Sequence, residues 1–161
     1  MRRLLAAALA ALVACAVPAL AASPPLEPQV ELQVELDPAT RRFEAVAVVT
    51  PAERDFRFEL HESLAVRMAS AGGKKLPVIA GGRQGALRSW RVVLPAHTDR
   101  LRLAYGGTLP ALERNLDHRG VLGALPPMAS REGSFLPAGT AWYPRPAPRF
   151  AYRVALSVPA D

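Results

Sequence analysis

His61-Glu62-Ser63-Leu64-Ala65 is the stretch of this sequence nearest to a chemical motif. It begins like H-E-x-x-H, in which two histidines one helical turn apart face a zinc ion. Ala65 stands where the second histidine is needed, and the surrounding alternation reads as a strand end, not a helix. An exposed polar pair at a strand edge is the expected role of His61 and Glu62. His97 and His118 share no ligand spacing with His61. Asp117-His118 has the order of an orienting pair, but such neighbours are common in loops. Glu113, Asp117 and Glu132 are the nearest approach to paired carboxylates, and solvent is the default place for acids in a loop. There is no G-x-S-x-G, which excludes a nucleophile elbow. Gly81-Gly82-Arg83-Gln84-Gly85 lacks the lysine and following helix of a phosphate loop. The chain is therefore expected to hold no catalytic residue, no metal site and no cofactor site of its own.

The elements that would carry such residues are strands. Val30 to Leu36 alternates apolar and polar at every step, the period of a strand with one buried face. Asp37-Pro38-Ala39-Thr40 is a turn, and Phe43 to Val49 returns. Phe56-Phe58-Leu60, Leu64-Val66-Met68, Trp90-Val92-Leu94 and Leu101-Leu103-Tyr105 alternate in the same way. Turns are expected at Ala71 to Lys74 and Gly81 to Gly85, with a short strand between them, and at Gly106-Gly107. Leu109 to Pro137 has little periodicity and reads as a long loop, of a length usually tied to function. Phe150 to Val158 gives the cleanest alternation. No helical period occurs outside the amino-terminal segment. Short strands at regular spacing predict an all-β fold, an antiparallel β-sandwich.

The amino terminus reads as a secretory signal peptide over residues 1–21. Arg2 and Arg3 precede an apolar run from Leu4 to Val17, and Ala19-Leu20-Ala21 is an A-x-A site with cleavage between Ala21 and Ala22. The run is short of the roughly 20 apolar residues of a membrane span. Leu12-Val13-Ala14-Cys15 also matches the bacterial lipoprotein pattern, so Cys15 is a candidate lipidation site that would anchor the chain to a membrane. Cleavage after Ala21 would leave no cysteine, hence no disulfide and no thiol nucleophile. A proline-rich spacer, 22–29, precedes a domain over 30–161. An exported protein is expected, periplasmic or in the cell envelope.

The 161 residues suit one domain after a leader, and 50% apolar content supports a packed core. The formal net charge is +6, with acids concentrated before Ser63 and bases after it. The arginines are scattered along strands, as on a solvated face. No long basic tract is present, and no nucleic-acid partner is expected.

Three stretches bear a resemblance to a known family. LRLAYGGTLPAL, residues 101–112, resembles the strand and turn "l-x-l-x-Y-x-G-x-l" in the amino-terminal β domain of aminopeptidase N-type (gluzincin) zinc metallopeptidases. FRFELHESLAVRMASAGGKKL, residues 56–76, resembles an earlier hairpin of that domain. Gly133-Ser134-Phe135-Leu136 and Trp142-Tyr143-Pro144 resemble its "W-[YF]-P" segment, which precedes the strand matched here by Phe150 to Pro159. The order of elements agrees over about residues 28–160.

The resemblance implies a saddle-like β domain that packs on a catalytic domain. Zinc, H-E-x-x-H and a later glutamate would belong to that missing or separate domain, and the role here would be to cap it and help orient peptide substrate. The alternative is a free-standing cell-envelope β-sandwich that binds a protein or glycan. The chain would then be a fragment or truncated product, its domain incomplete at the C-terminal end, with an exposed edge. Trp142 and Tyr143 are candidate interface anchors, weighed against plain core cover.

Overall fold

The computed structural model describes residues 27–112 and 125–159. The expected leader, with Cys15, Ala21 and Ala22, lies outside them, as do Glu113, Asp117 and His118. Eleven strands carry the described chain, and no helix occurs among the described residues. They are β1 (Val30–Asp37), β2 (Arg42–Val49), β3 (Asp55–His61), β4 (Leu64–Ala71), β5 (Lys74–Leu76) and β6 (Ile79–Gln84). Next come β7 (Leu87–Val93), β8 (Leu101–Thr108), β9 (Met128–Ser130), β10 (Gly133–Phe135) and β11 (Tyr152–Ser157).

A six-stranded sheet runs in the order β11-β1-β2-β8-β4-β5, and a three-stranded sheet runs β3-β7-β6. β9 and β10 form a separate hairpin. The period-two patterns set the registers. Val30, Leu32, Val34 and Leu36 sit opposite Val49, Ala47, Ala45 and Phe43, so all eight point to one face. Leu101, Leu103 and Tyr105 of β8 continue that face beside Val49, Ala47 and Ala45. In the smaller sheet Phe56 opposes Val92 and Phe58 opposes Trp90. These apolar faces share one hydrophobic core.

The all-β expectation holds, with four differences. β11 pairs with β1 in parallel, so the large sheet is not purely antiparallel. β3 and β4 do not pair as a hairpin; they lie in different sheets, and the tight hairpin joins β4 to β5 across Gly72 and Gly73, both at positive φ. The glycines expected to end strands do not. Gly106 and Gly107 lie inside β8, and Gly81 and Gly82 inside β6, whose register against β7 shifts between Ala80 and Arg83. The stretch expected as one long loop contains the β9–β10 hairpin, too short to show a period.

Gly107 of β8 is where the backbone of the β3–β4 turn passes closest. It sits opposite both Phe43 and Leu64. A Cβ there would lie inside van der Waals contact of the Ser63 carbonyl oxygen and 3.0 Å from its carbon. The turn carrying the chain from β3 to β4 can pass only because no side chain is present.

Candidate functional site: the His61 turn and the aromatic corner

His61 ends β3, and the chain turns through Glu62 and Ser63 into β4. The imidazole is not the exposed group expected at a strand edge; it is buried, at 5% exposure. Its neighbourhood explains why. The His61 N–H donates to the Ala141 carbonyl at 2.8 Å, and the Glu62 N–H to that of Ala86 at 2.7 Å, so the turn is tied down on both sides. The Ser63 N–H donates to His61 Nδ1 at 3.2 Å, and the Ser63 hydroxyl lies 2.8 Å from the same nitrogen. A nitrogen that accepts a backbone N–H carries no proton, so the ring is the neutral Nε2–H tautomer. Burial lowers the His61 pKa from its ordinary 6.5, and the nearby Glu62 charge opposes this only in part.

The sign of the pH effect follows. As pH falls below 6.5, an unfolded His61 takes up a proton that the folded one resists. Stability is then lost between the unfolded pKa and the lower folded one. A second loss follows at more acid pH, where the depressed carboxyls of Asp37, Asp55 and Glu44 are protonated. Urea titrations from pH 7.5 to 5 should show a falling midpoint that flattens in His61→Gln; an unchanged slope in that variant would refute the assignment.

His61, Glu62, Leu87, Pro110, Leu125 and Thr140 line an open cleft of about 480 Å³. Its chemistry is not that of a zinc centre. Nδ1 of His61 is occupied by Ser63, Glu62 turns outward to Arg83 at 3.4 Å, and Ala65 offers no ligand. Among the described residues no three His, Cys, Asp or Glu side chains converge where a metal ion could sit. His97 is exposed at a positive-φ position, and Glu132 accepts the Ser130 hydroxyl at 2.6 Å. A zinc ion does not fit these residues.

The second feature begins at Ala141, which adopts φ +52 and turns the chain so that Trp142 and Tyr143 point inward. Trp142 packs edge-on against Phe43, 6.3 Å between ring centroids, and against Tyr143 at 4.6 Å. The Trp142 carbonyl accepts the Tyr105 hydroxyl at 3.2 Å. Burial pushes the Tyr105 phenol far above its ordinary range, so it remains a donor at any physiological pH. Trp142 and Tyr143, expected as candidate interface anchors, are thus 9% and 6% exposed within this chain's own core. Trp142 Nε1 is buried without a hydrogen-bond partner among the described residues. From Tyr143 the ring contacts pass to Phe150 and Tyr152, at 6.1 and 6.3 Å, and reach the sheet edge at β11.

Some arginines of the second half pair with acids of the first. Arg91 holds Asp55 through two contacts of 2.6 and 3.0 Å, Arg67 grips both oxygens of Glu44, and Arg100 reaches Glu31 at 2.6 Å. The Arg91 hydrogen bond holds the Asp55 carboxyl below its usual range. For Glu44, burial acts upward but is outweighed by Arg67 and Arg42. These pairs are solvent-exposed and each contributes little stability.

No protein-family model matches the sequence, and no curated protein matches it. Solved structures do match the fold. A mutant of the M1 zinc metallopeptidase from Deinococcus radiodurans gives a TM-score of 0.56 at 17% identity, covering 81% of this chain and 31% of that one. A mutant from the same organism bound to a Tyr-Ser-Ala substrate gives 0.52 at 19% identity, covering 81% and 32%. The M1 zinc metallopeptidase of the same organism gives 0.52 at 17% identity, covering 81% and 32%. The chain spans about a third of the length of these structures, and its fold resembles their amino-terminal domain.

Proposed function

We propose that the chain is a non-catalytic β-sandwich domain of an aminopeptidase N-type metallopeptidase, exported to the cell envelope, that caps a catalytic domain and helps orient peptide substrate. The observation that carries this reading is the fold likeness over 81% of the chain to peptidases of which it spans a third. The chemistry within the chain is compatible with it: His61, where the sequence begins like H-E-x-x-H, is folded into a turn with its imidazole bonded to Ser63. Zinc and the general base would be supplied by the other domain. This domain would contribute a rigid wall, with the Trp142–Tyr143 corner fixing the course of the chain into β11.

The reading is tested by recovering the native protein from its own cells with an antibody to this domain. Intact mass, zinc content and release of amino-terminal residues from peptides are then measured. A species several times larger than this chain, or a tight complex with a second polypeptide, containing zinc and aminopeptidase activity, supports it. A species of this size that is free of zinc and inactive on peptides overturns it in favour of an independent envelope module.

A further inference from the structure

The cleft beside His61 is walled by two segments that this residue joins. One is the β3–β4 turn, in which the Ser63 N–H donates to His61 Nδ1 at 3.2 Å. The other is residues 136–141, part of a stretch without strand between β10 and β11. The His61 N–H ties the two together by donating to the Ala141 carbonyl at 2.8 Å. His61 and Glu62 line the cleft on one side, Gly139 and Thr140 on the other.

Residues 136–141 are lightly held. Among the described residues, their hydrogen bond to the rest of the chain is the one from His61, while the Thr140 N–H and hydroxyl bond within the segment to the Pro137 carbonyl. Ala141 sits at φ +52, an unfavourable conformation for a residue with a Cβ. Trp142, next to it, is fixed: its ring is in the core and its carbonyl accepts the Tyr105 hydroxyl. The segment thus has a strained hinge at Ala141, an anchor at Trp142 and a latch at His61.

The latch is incompatible with a proton on Nδ1. An imidazolium donates from both ring nitrogens, so the Ser63 N–H would face another N–H. The Ser63 hydroxyl, 2.8 Å away, can turn to accept that proton, but the backbone N–H then has lost its acceptor. The charge would also stand in a buried site. Of the other described residues lining the cleft, only Glu62 titrates, and its carboxylate is held by Arg83 of β6 at 3.4 Å. The neighbouring positions 86–87, 110, 125–126 and 139–140 bring no charge.

We propose that His61 is a proton-released latch: its protonation frees the β3–β4 turn from residues 136–141 and opens that wall of the cleft, while both sheets and the Trp142 anchor stay in place. The closed form resists the proton and the open form takes it up near the ordinary 6.5. Falling pH therefore favours opening, and rising pH restores the closed form. The device rests on contacts within this chain and not on the proposed capping role.

The test is amide hydrogen exchange of the full chain by nuclear magnetic resonance, between pH 7.5 and 5 and corrected for the intrinsic pH dependence of exchange. The amides of His61, Ser63 and Thr140 should lose protection together, by roughly 30-fold for one proton taken up near 6.5. At pH 5 they should be roughly tenfold or more below the amides of β2 and β8. Low urea should leave these three unchanged and speed exchange in β2 and β8, because a local opening exposes little surface. In His61→Asn, whose side-chain oxygen accepts the Ser63 N–H without titrating, the Ser63 and Thr140 amides should be insensitive to pH. His61→Gln gives the same reading where the asparagine variant does not fold. Constant protection in the native chain, the same protection and urea dependence as β2 and β8, or a pH dependence that persists in the variant would overturn the proposal.

Discussion

Gly107→Ala is expected to be the most damaging single-methyl change in the described chain. The added carbon would meet the backbone of Ser63, not the tip of a flexible side chain, and so cannot be relieved by a rotamer change. The β3-to-β4 turn would have to move, taking with it the His61–Ala141 and Glu62–Ala86 hydrogen bonds that hold it. Overpacking commonly costs about 1–3 kcal/mol, and a backbone clash that also breaks buried hydrogen bonds belongs at or above the top of that range. A domain with a total of about 5–15 kcal/mol would show this clearly. The check is a urea unfolding series against Gly82→Ala, where nothing lies within 4 Å and φ is ordinary. Gly82→Ala should be nearly neutral. Equal midpoints for the two variants would mean that the close approach at Gly107 is wrong.

Trp142→Ala is the second large effect. It empties the space between Phe43 and Tyr143 in the core, and a truncation of this size typically costs about 3–5 kcal/mol. Trp142→Phe separates packing from polarity. It keeps an aromatic ring against Phe43 and removes an N–H that has no partner among the described residues. Its loss should be a small fraction of the alanine loss, because no hydrogen bond is broken. Near-ultraviolet circular dichroism, with the unfolding midpoint, reads both. If alanine and phenylalanine destabilise equally, the indole nitrogen has a partner that matters and the ring contacts do not dominate.

Which parts of this molecule could be read from sequence follows from the length of its patterns. β1, β2, β3, β7 and β8 each carry enough alternating positions to declare both element and buried face, and the structure places them with ends differing by only a few residues. The three-residue strands β9 and β10 offer no period to detect. Gly106-Gly107 looks like punctuation, because glycine is the usual residue of a turn. The reason for glycine at 107 is contact with Ser63, near in space but far away in sequence, and that contact depends on β4 pairing with β8. β11 has the clearest alternation of all and still misleads: alternation announces one apolar face, and that face is exposed. For the candidate site, the Trp142-Tyr143 pair was visible as a rigid aromatic element. Its burial depends on the φ of Ala141 and the hydroxyl of Tyr105, which no local pattern encodes. The burial of His61 was equally hidden, because Ser63 and Ala141 supply it.

The parallel pairing of β1 with β11 also sets a clock. Residue 30 cannot complete its side of the sheet until residue 152 has left the ribosome, whereas β1 and β2 close locally. At synthesis rates of about 5–20 residues per second the wait is roughly 6–25 s. During that time the β1 edge is bare, and the loop to be closed is the longest in the domain, which slows folding further. The nascent chain thus has a long interval in which the β1 edge stays unpaired, and β11 is the strand that covers it.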